Sequence, residues 1–464
     1  MLGNTVSNQG SITAPQGTVA LGAGSAATLT FENNSLVKMQ VDQSLLNSLA
    51  ENGGVIRADG GQVIMSAGAK DALLASVVNN TGMIEARTVE NHEGTITLLG
   101  GMAAGTVNVA GTLDASAPTG GNGGFIETSA AHVAIKPSAH ITTASAQGKT
   151  GDWLIDPTDY TVAATGGDIT GTQLSTNLAS NNIEIKSSAG TTTASGTGGN
   201  INVNQGVTWA TNTTLTLTAS NNVNVNANIN ATGALAGIVF NPNTPNGLVA
   251  STGTGKLVLA RDVTVGLSGA NSTLVIGGAN YTVIHNLAQL QAVNTNVGDN
   301  YALGNAIDAS ATRAATPTVF TPIADFTGNF NGLGNSVNNL TISSPGNNVA
   351  LFGGASTTGS LNNIGLVNAH ITGNNYVAGL VSHLTLANGD FSNNYSKDGT
   401  ISGLGYVGGL ASWVTLGAGN FSNNYVTGTA GGAGSVTGTS YTGGVVGWTT
   451  LTSIGRASCR ERVS

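Results

Sequence analysis

Short runs of alternating apolar and polar residues, separated by turn residues, extend over almost the whole chain. In one of them Phe125 and Glu127 would face one side of a strand, and Ile126 and Thr128 the other. The glycine-rich sequence GGNGG at 120–124 precedes this run and predicts a tight turn. Residues 198–233 alternate in the same way, and the apolar residues expected to line a core are Val203, Val207, Leu215, Leu217, Val223, Val225 and Ile229.

Asparagines fill many of the positions between these apolar residues. We expect them to face outward or to form turns, because Asn tolerates the left-handed backbone conformation. Stacked Asn side chains can also hydrogen-bond from one strand to the next. The positions concerned are Asn200, Asn202, Asn204, Asn222, Asn224, Asn226, Asn228 and Asn230.

Three segments have the apolar spacing of short helices. Leu45, Leu46 and Leu49 share one face of the first, and Leu73, Leu74 and Val77 share one face of the second. The three predicted helices run from Gln43 to Ala50, from Ala69 to Val78 and from Leu287 to Val293.

The phrases VSNQGSITA, VVNNTGMIEA and VNVAGTLDA recur, each containing a strand, a turn and a second strand that ends in Ala. Coils this short cannot bury their own apolar face, so successive coils must stack. The sequence therefore predicts an all-β fold, a right-handed parallel β-helix (solenoid) with short helical insertions. A β-sandwich is the alternative, but it would need stronger alternation and more aromatic residues than the 5% present.

The segment WLIDP ends the first block of the chain. Pro157 cannot donate a hydrogen bond to a strand ladder, and it keeps Asp156 out of helical geometry. We interpret Trp153 to Asp156 as the last packed coil of a block over 1–156, with a hinge starting at Pro157. Residues 157–280 are then a β-helical continuation or a hinge.

A clear repeat appears towards the C-terminus, where residues 375–395 and 405–425 match at a spacing of 30 and 440–448 opens a third copy. Equivalent residues of a solenoid lie one above another. We expect the two phenylalanines to stack in the core and the Asn pairs after them to make the turns. The equivalent positions are Phe391, Asn393, Asn394 and Tyr395 in one copy, and Phe421, Asn423, Asn424 and Tyr425 in the next.

Composition narrows the classes of function. The chain has 68 Gly, 8% charged residues and a formal net charge of −8, which gives no footprint for nucleic acid or an anionic membrane. No apolar run is long enough to span a bilayer as a helix. The only cysteine, Cys459, lies in the segment IGRASCRERVS at 454–464, whose abrupt change in composition we interpret as a non-native tail.

Candidate catalytic and metal-binding residues are few. Asp152, Asp156 and Asp159 form the one tight carboxylate cluster, with Asp168 beyond and Lys149 nearby, and we favour a turn-forming role for them. The six histidines are isolated, and GGNGG is followed by no Lys-Ser/Thr pair. Four tryptophans could stack on sugars, although packing is the favoured role: Trp153, Trp209, Trp413 and Trp448. We therefore expect no cofactor, no metal and no enzymatic activity.

The blocks GGFIETSAAHVAI and GDWLIDPTDYTV, with the phrases at 6–24, 41–67 and 76–101, resemble the filamentous-haemagglutinin adhesins of two-partner secretion over about 4–162. The block 281–453 resembles the GLUG repeat modules of bacterial surface proteins. Its introductory module is carried by Phe326, Gly328, Phe330, Gly332, Gly334, Val337, Asn339, Leu340 and Ile342.

The resemblance implies a secreted or surface-displayed adhesin stalk fragment from a Gram-negative bacterium. The start MLGNTVSNQG lacks the features of a signal peptide, although the family normally begins with one and with a secretion domain. An outer-membrane transporter and a receptor or glycan on a cell surface are the partners that the family implies. The alternatives are a β-helical polysaccharide-degrading enzyme and a scaffold that carries a C-terminal toxin.

Overall fold

A computed structural model describes residues 1–30, 37–43, 47–68, 76–188, 198–244, 255–314, 316, 319–428, 434–451 and 457–458. These residues form mostly β-strands, arranged in long parallel sheets, so the all-β solenoid-like fold is confirmed. The chain divides into two compact units. The N-terminal unit is Met1–Ala260 with Val275–Gly278, and the C-terminal unit is Arg261–Leu274 with Ala279–Ser464.

Sheet A is the longest sheet of the N-terminal unit. Each of its strands pairs in parallel with the next one along the chain, and a two-residue strand, Leu2–Gly3, extends the first end. The other strands of sheet A are Thr18–Ala23, Gln62–Ala67, Thr95–Gly100, Phe125–Ser129, Asp152–Asp156, Asn182–Ser187, Thr214–Ala219 and Gly237–Asn241.

Two further parallel sheets complete the first coils of this unit. Sheet B contains Thr5–Asn8, Ser48–Asn52, Ser76–Asn80, Thr106–Val109 and His132–Ile135. Sheet C contains Ser11–Thr13, Val55–Arg57, Met83–Glu85, Thr112–Asp114 and His140–Thr142.

Shorter ladders serve the later coils. One contains Tyr160–Val162, Ile201–Val203, Val223–Val225 and Leu257–Leu259. Another pairs Val207–Trp209 with Ile229–Ala231, and an antiparallel hairpin joins Ala26–Thr30 to Lys38–Gln43.

Alternation along the strands sends one set of side chains into the core. Ile126 and Thr128 are fully buried, whereas Phe125 and Glu127 are half-buried on the outer side. Register then places buried residues of successive coils above one another, in the column Ile96, Ile126, Trp153, Ile183, Leu215 and Ile238. The apolar residues predicted to line the core of 198–233 are all fully buried, which confirms that prediction.

A column of glycines lets the coils approach closely at the corner between sheets B and C. A Cβ atom on Gly54 would lie 2.1 Å from the carbonyl oxygen of Gly10, and one on Gly82 would lie 2.1 Å from that of Gly54. Gly111 repeats the relation to Gly82, at 2.0 Å. These corners therefore need glycine, which accounts for the recurring Gly of the phrases VSNQG, VVNNTG and VNVAG.

The C-terminal unit is built from five parallel sheets. Sheet D contains Ala279–Ile284, Tyr301–Leu303, Phe330–Asn331, Leu361–Asn362, Asp390–Ser392, Asn420–Ser422 and Ala457–Ser458. Sheet E contains Ile307–Asp308, Ser336–Asn338, Gly365–Val367, Tyr395–Lys397 and Tyr425–Thr427.

Three more sheets close the coils of this unit. Sheet F contains Thr341–Ser343, His370–Thr372, Thr400–Ser402 and Ser435–Thr437. Sheet G contains Ala355–Thr357, Val381–Leu386, Ala411–Leu416 and Val446–Leu451, and sheet H contains Val377–Ala378, Val407–Gly408 and Thr442–Gly443. Two other strands are Val265–Leu267 and Thr273–Ile276.

Two of the three predicted helices are wrong where the structure describes them. Lys38–Gln43, Ser48–Asn52 and Ser76–Asn80 are strands; residues 44–46 and 69–75 lie outside the described part of the chain. Leu49 pairs in register with Val77, so the leucine spacing that suits a helix is overridden by pairing between coils.

The third predicted helix is confirmed as Leu287–Ala292, which continues as a 3₁₀ turn over Val293–Thr295. A second 3₁₀ turn is Ser310–Arg313. The α-helix Gly171–Leu178 was not predicted, although Thr170 caps it by accepting a hydrogen bond from the backbone N–H of Gln173 at 3.1 Å. No helix in the described ranges is long and apolar enough to cross a membrane.

The hinge expected after Asp156 does not interrupt sheet A. The strand Asp152–Asp156 pairs with Phe125–Ser129 on one side and with Asn182–Ser187 on the other. The carbonyl oxygen of Pro157 accepts a hydrogen bond from the backbone N–H of Ser188 at 2.9 Å. Proline lacks only the donor, so it fits a coil corner, and Trp153 to Asp156 is not the last packed coil. Of the two readings of 157–280, the described residues match the β-helical continuation.

Candidate functional site

The equivalent residues of the C-terminal repeat lie in register on neighbouring coils. Phe391 pairs with Phe421 in sheet D, and their nearly parallel rings have centroids 5.1 Å apart. Tyr395 pairs with Tyr425 in sheet E, with ring centroids 5.4 Å apart. The phenylalanines are buried in the core, and the tyrosines are half-buried on the outer side of their strands. Arg261 covers the outer tyrosine, with Cζ 4.1 Å from the ring centroid of Tyr425.

The two Asn residues of each copy have different tasks. Asn393 and Asn423 adopt left-handed backbone conformations, both with φ of 57°, and make the turn. Asn394 and Asn424 are buried. The side chain of Asn424 accepts from the backbone N–H of Asn394 at 3.0 Å and donates to the carbonyl oxygen of Phe391 at 2.9 Å. The second Asn of each pair therefore joins two coils instead of only forming a turn.

A buried amide ladder runs through the corner of the N-terminal unit. Asn8 donates through its side chain to the side-chain oxygen of Asn52 at 2.8 Å, and Asn52 donates in the same way to Asn80 at 2.9 Å. The sequence does not distinguish these Asn residues from turn residues at the surface. The repeated Asn-x-Gly of the first two phrases was the available signal, because each Asn precedes a glycine of the close-packed corner.

A second amide ladder occupies the Asn-rich stretch, where the sequence predicted hydrogen bonds between coils. Asn224 donates to Asn202, and Asn226 donates to Asn204, both at 2.8 Å between side chains. The latter pair lies at the surface. That prediction is confirmed, and the two ladders provide one kind of bond in buried and in exposed surroundings.

The carboxylates near Asp156 come from three successive coils of sheet A. Glu127 lies opposite Leu154 of the next strand, and Leu154 lies opposite Glu184. Lys186 Nζ is 4.0 Å from Asp156 Oδ2. Burial raises the pKa of Asp156 to about 6; Lys186 opposes this rise, and Glu127 and Glu184 add to it. The structure thus groups Asp156 with carboxylates that are distant in sequence.

The other carboxylates of the predicted cluster do not join this group. Asp152 is exposed at the opposite end of the same strand. Asp159 accepts from the backbone N–H of Asn200 at 2.9 Å, and Asp168 accepts from that of Thr161 at 2.8 Å. Both bonds fit the turn-forming role favoured from the sequence. Among the described residues, no group of three or more His, Cys, Asp or Glu could hold a metal ion.

The four tryptophans divide into two pairs. Trp153 and Trp209 are 0% and 3% exposed and belong to the core of the N-terminal unit. Trp413 and Trp448 pair in register on the outer side of sheet G, and Trp448 is 40% exposed. The sequence reasoning overlooked the tyrosine that opens each repeat copy, in NYVAGL, GYVGGL and SYTGGV.

No model of a known protein family matches the chain. One part of it is similar to halomucin from Haloquadratum walsbyi, with 40% identity over 99 residues. That match covers 20% of this chain and spans only 1% of the length of halomucin.

Proposed function

We propose that the chain is a non-catalytic stalk segment of a secreted or surface-displayed bacterial adhesin of the filamentous-haemagglutinin type. The observation that carries the proposal is the unbroken parallel pairing of sheet A, from Thr18–Ala23 to Gly237–Asn241. Its eight strands extend over about 34 Å at the usual separation of roughly 4.8 Å between strands.

Stacked coils suit a protein that presents surface away from a cell. Each coil contacts only its neighbours, so coils can be added without changing the rest, and each coil brings new outward-facing side chains. Binding on such a fold depends on exposed faces and loops and needs no catalytic pocket.

Export and location follow from the same proposal. An outer-membrane transporter of two-partner secretion would carry the chain out, and a receptor or glycan on a cell surface would be its ligand. The partial similarity to halomucin supports a place at the cell surface. The sequence resemblance over about 4–162 supports the type of transporter.

The proposal is tested with the purified full chain coupled to latex beads. Beads with the chain should adhere to cultured epithelial cells or to bacterial cells in greater number than beads with albumin. Free chain added in excess should compete and reduce their number. Equal adhesion of the two kinds of bead to all the cells would contradict an adhesive function.

A polysaccharide-degrading enzyme is the second candidate, because Asp156 has a raised pKa beside Glu127 and Glu184. A carboxyl group with a raised pKa next to a second carboxylate is the pairing that glycoside hydrolysis uses. The test is the release of reducing ends from a panel of polysaccharides. Release that disappears in Asp156→Asn and persists in Asp152→Asn would favour the enzyme over the adhesin.

A further inference from the structure

Six aromatic side chains form a continuous strip on the outside of the C-terminal unit. Tyr376, Tyr406 and Tyr441 stack with ring centroids 5.1 and 4.7 Å apart and interplanar angles of 3° and 10°. A second column beside them contains His383, Trp413 and Trp448, with centroids 5.6 and 6.0 Å apart. We call these six residues the aromatic strip.

Every coil contributes one ring to each column. The rings of a coil contact each other, Tyr376 with His383 at 5.3 Å, Tyr406 with Trp413 at 5.0 Å and Tyr441 with Trp448 at 4.8 Å between centroids. The same pair of rings is therefore presented again at each coil, about 4.8 Å further along the stack.

The strip differs from the aromatic column of the core. Phe391 and Phe421 are 0% and 4% exposed, whereas Tyr441 and Trp448 are 47% and 40% exposed and the other four members are half-buried. Stacking between coils alone does not require rings at the surface, and contiguous exposed aromatic surface marks binding sites.

Hydroxyl groups run along one edge of the strip. Thr385, Thr415 and Thr450 pair in register in sheet G, two residues beyond the His383 column and on the same side of the strands. Trp413 Nε1 donates to Thr415 Oγ1 at 3.2 Å, which joins the two columns. A ligand on the strip would thus meet ring surfaces and, beside them, hydroxyl donors and acceptors.

The segments that carry the strip are uncharged. Residues 374–386, 404–416 and 439–451 contain no Asp, Glu, Lys or Arg. Burial lowers the pKa of His383, so its ring is neutral at pH 7. Single-stranded nucleic acids also stack on aromatic rings, but their binding sites add basic side chains, which these segments lack.

We propose that the aromatic strip binds a neutral polysaccharide that lies along the stack of coils. The C–H faces of the sugar rings pack against the aromatic side chains, and their hydroxyl groups bond to the threonine column. The repetition of identical groups from coil to coil matches a polymer of repeating sugar units. This inference rests on the proposed adhesin function in part, because it names the chemical class of that adhesin's ligand.

The strip carries its own spectroscopic probe. Trp153 and Trp209 are buried in the N-terminal unit, so quenching of tryptophan fluorescence by acrylamide reports on Trp413 and Trp448. The probes are dextran, mannan and galactan as neutral polysaccharides and alginate as an anionic one, each added to the full chain. At least one neutral polysaccharide should reduce the quenching, and alginate should have little effect.

Variants localise the binding. Trp448→Ala should raise the Kd for the protective polysaccharide about tenfold, and Trp448→Phe, which keeps a ring, should raise it less. Tyr425→Ala is the matched control, because it removes one ring from the tyrosine pair of sheet E and leaves the strip intact. Circular dichroism confirms that each variant is folded, and Tyr441→Ala replaces Trp448→Ala if the latter is not.

The proposal is overturned if none of the neutral polysaccharides reduces quenching, if alginate protects equally, or if Tyr425→Ala weakens binding as much as Trp448→Ala. Polysaccharide-dependent protection in solution without bead adhesion to cells would leave the strip as a glycan site and contradict the adhesin. Adhesion that is unchanged in Trp448→Ala, with no protection by any neutral polysaccharide, would contradict the strip alone.

Discussion

The two units stack their coils with different side chains and with different regularity. In the N-terminal unit Thr18 pairs with Gln62, 44 residues on, whereas Thr214 pairs with Gly237, only 23 residues on. In the C-terminal unit the steps are nearly constant. Tyr301 pairs with Phe330 after 29 residues and Phe391 with Phe421 after 30.

The side chains that join the coils follow this difference. Amide ladders and glycine corners hold the irregular coils, because they fix register at single points and tolerate loops of any length between them. Stacked rings join the regular coils, because each ring needs its counterpart at the same position of the next coil. We infer that side chains in the amide ladders control register, whereas side chains in the aromatic columns mostly contribute buried area.

The largest effect is expected from Phe421→Ala. Phe421 is buried against Phe391, so its truncation leaves a cavity that costs about 3–5 kcal/mol in the free energy of unfolding of the C-terminal unit. Asn424→Ala is the control on the same coil. Because Asn424 bonds to the backbone of Asn394 and Phe391, we expect its loss to cost about 1–3 kcal/mol rather than nothing.

Urea unfolding measures both values. A cost for Asn424→Ala equal to or above that of Phe421→Ala would show that hydrogen bonds, and not buried rings, dominate the regular coils.

The next effect is expected from Asn52→Ala in the N-terminal unit. Asn52 accepts from Asn8 and donates to Asn80, so Ala leaves two buried amide groups without these partners and costs roughly 2–4 kcal/mol. The same measurement applies. A cost below about 0.5 kcal/mol would mean that the buried ladder does not stabilise the irregular coils.

A smaller effect with a clear pH dependence is expected from Asp156→Asn. The folded-state pKa of Asp156 is raised from 3.8 to about 6, so its ionisation removes stability as the pH rises through that window. Asn stays neutral beside Glu127, Glu184 and Lys186. Its melting temperature should therefore exceed that of the parent chain at pH 8, and the difference should vanish near pH 4.

Asp152→Asn is the control for this measurement, because Asp152 lies exposed on the same strand. A gain for Asp156→Asn that is equal at pH 4 and pH 8, or a loss at pH 8, would contradict the raised pKa.

The smallest effect is expected from Asn226→Ala. Its side chain donates to Asn204 at 2.8 Å, the distance between Asn8 and Asn52, but at the surface, where water replaces the bond. The cost in the free energy of unfolding should stay within about 0.5 kcal/mol. A loss comparable with that of Asn52→Ala would show that burial does not decide the strength of these ladders.

Sequence alone predicted the features that repeat within the chain or alternate along a strand. Val203, Leu217 and Val225 were assigned to the core by alternation, and all three are fully buried. The pairing of Phe391 with Phe421 followed from the spacing of 30.

Features that depend on the neighbouring coil could not be predicted in this way. The spacing of Leu45, Leu46 and Leu49 suits a helix locally, and only pairing with the next coil favours the strand Ser48–Asn52. Asn52 has the sequence context of a surface turn but is buried by the close approach of the glycine corners. The position of Tyr406 in the repeat was visible, but repetition alone does not distinguish the outside of a coil from its core.

The most direct test of the stacked-coil account is hydrogen exchange followed by mass spectrometry on Phe421→Ala and Asn52→Ala. Coils contact only their neighbours, so Phe421→Ala should accelerate exchange within 375–428 and leave 47–68 and 76–135 protected. Asn52→Ala should do the reverse, with faster exchange in 47–68 and 76–85 and no change in 375–428. Exchange that accelerates equally in both regions, or in neither, would contradict the account.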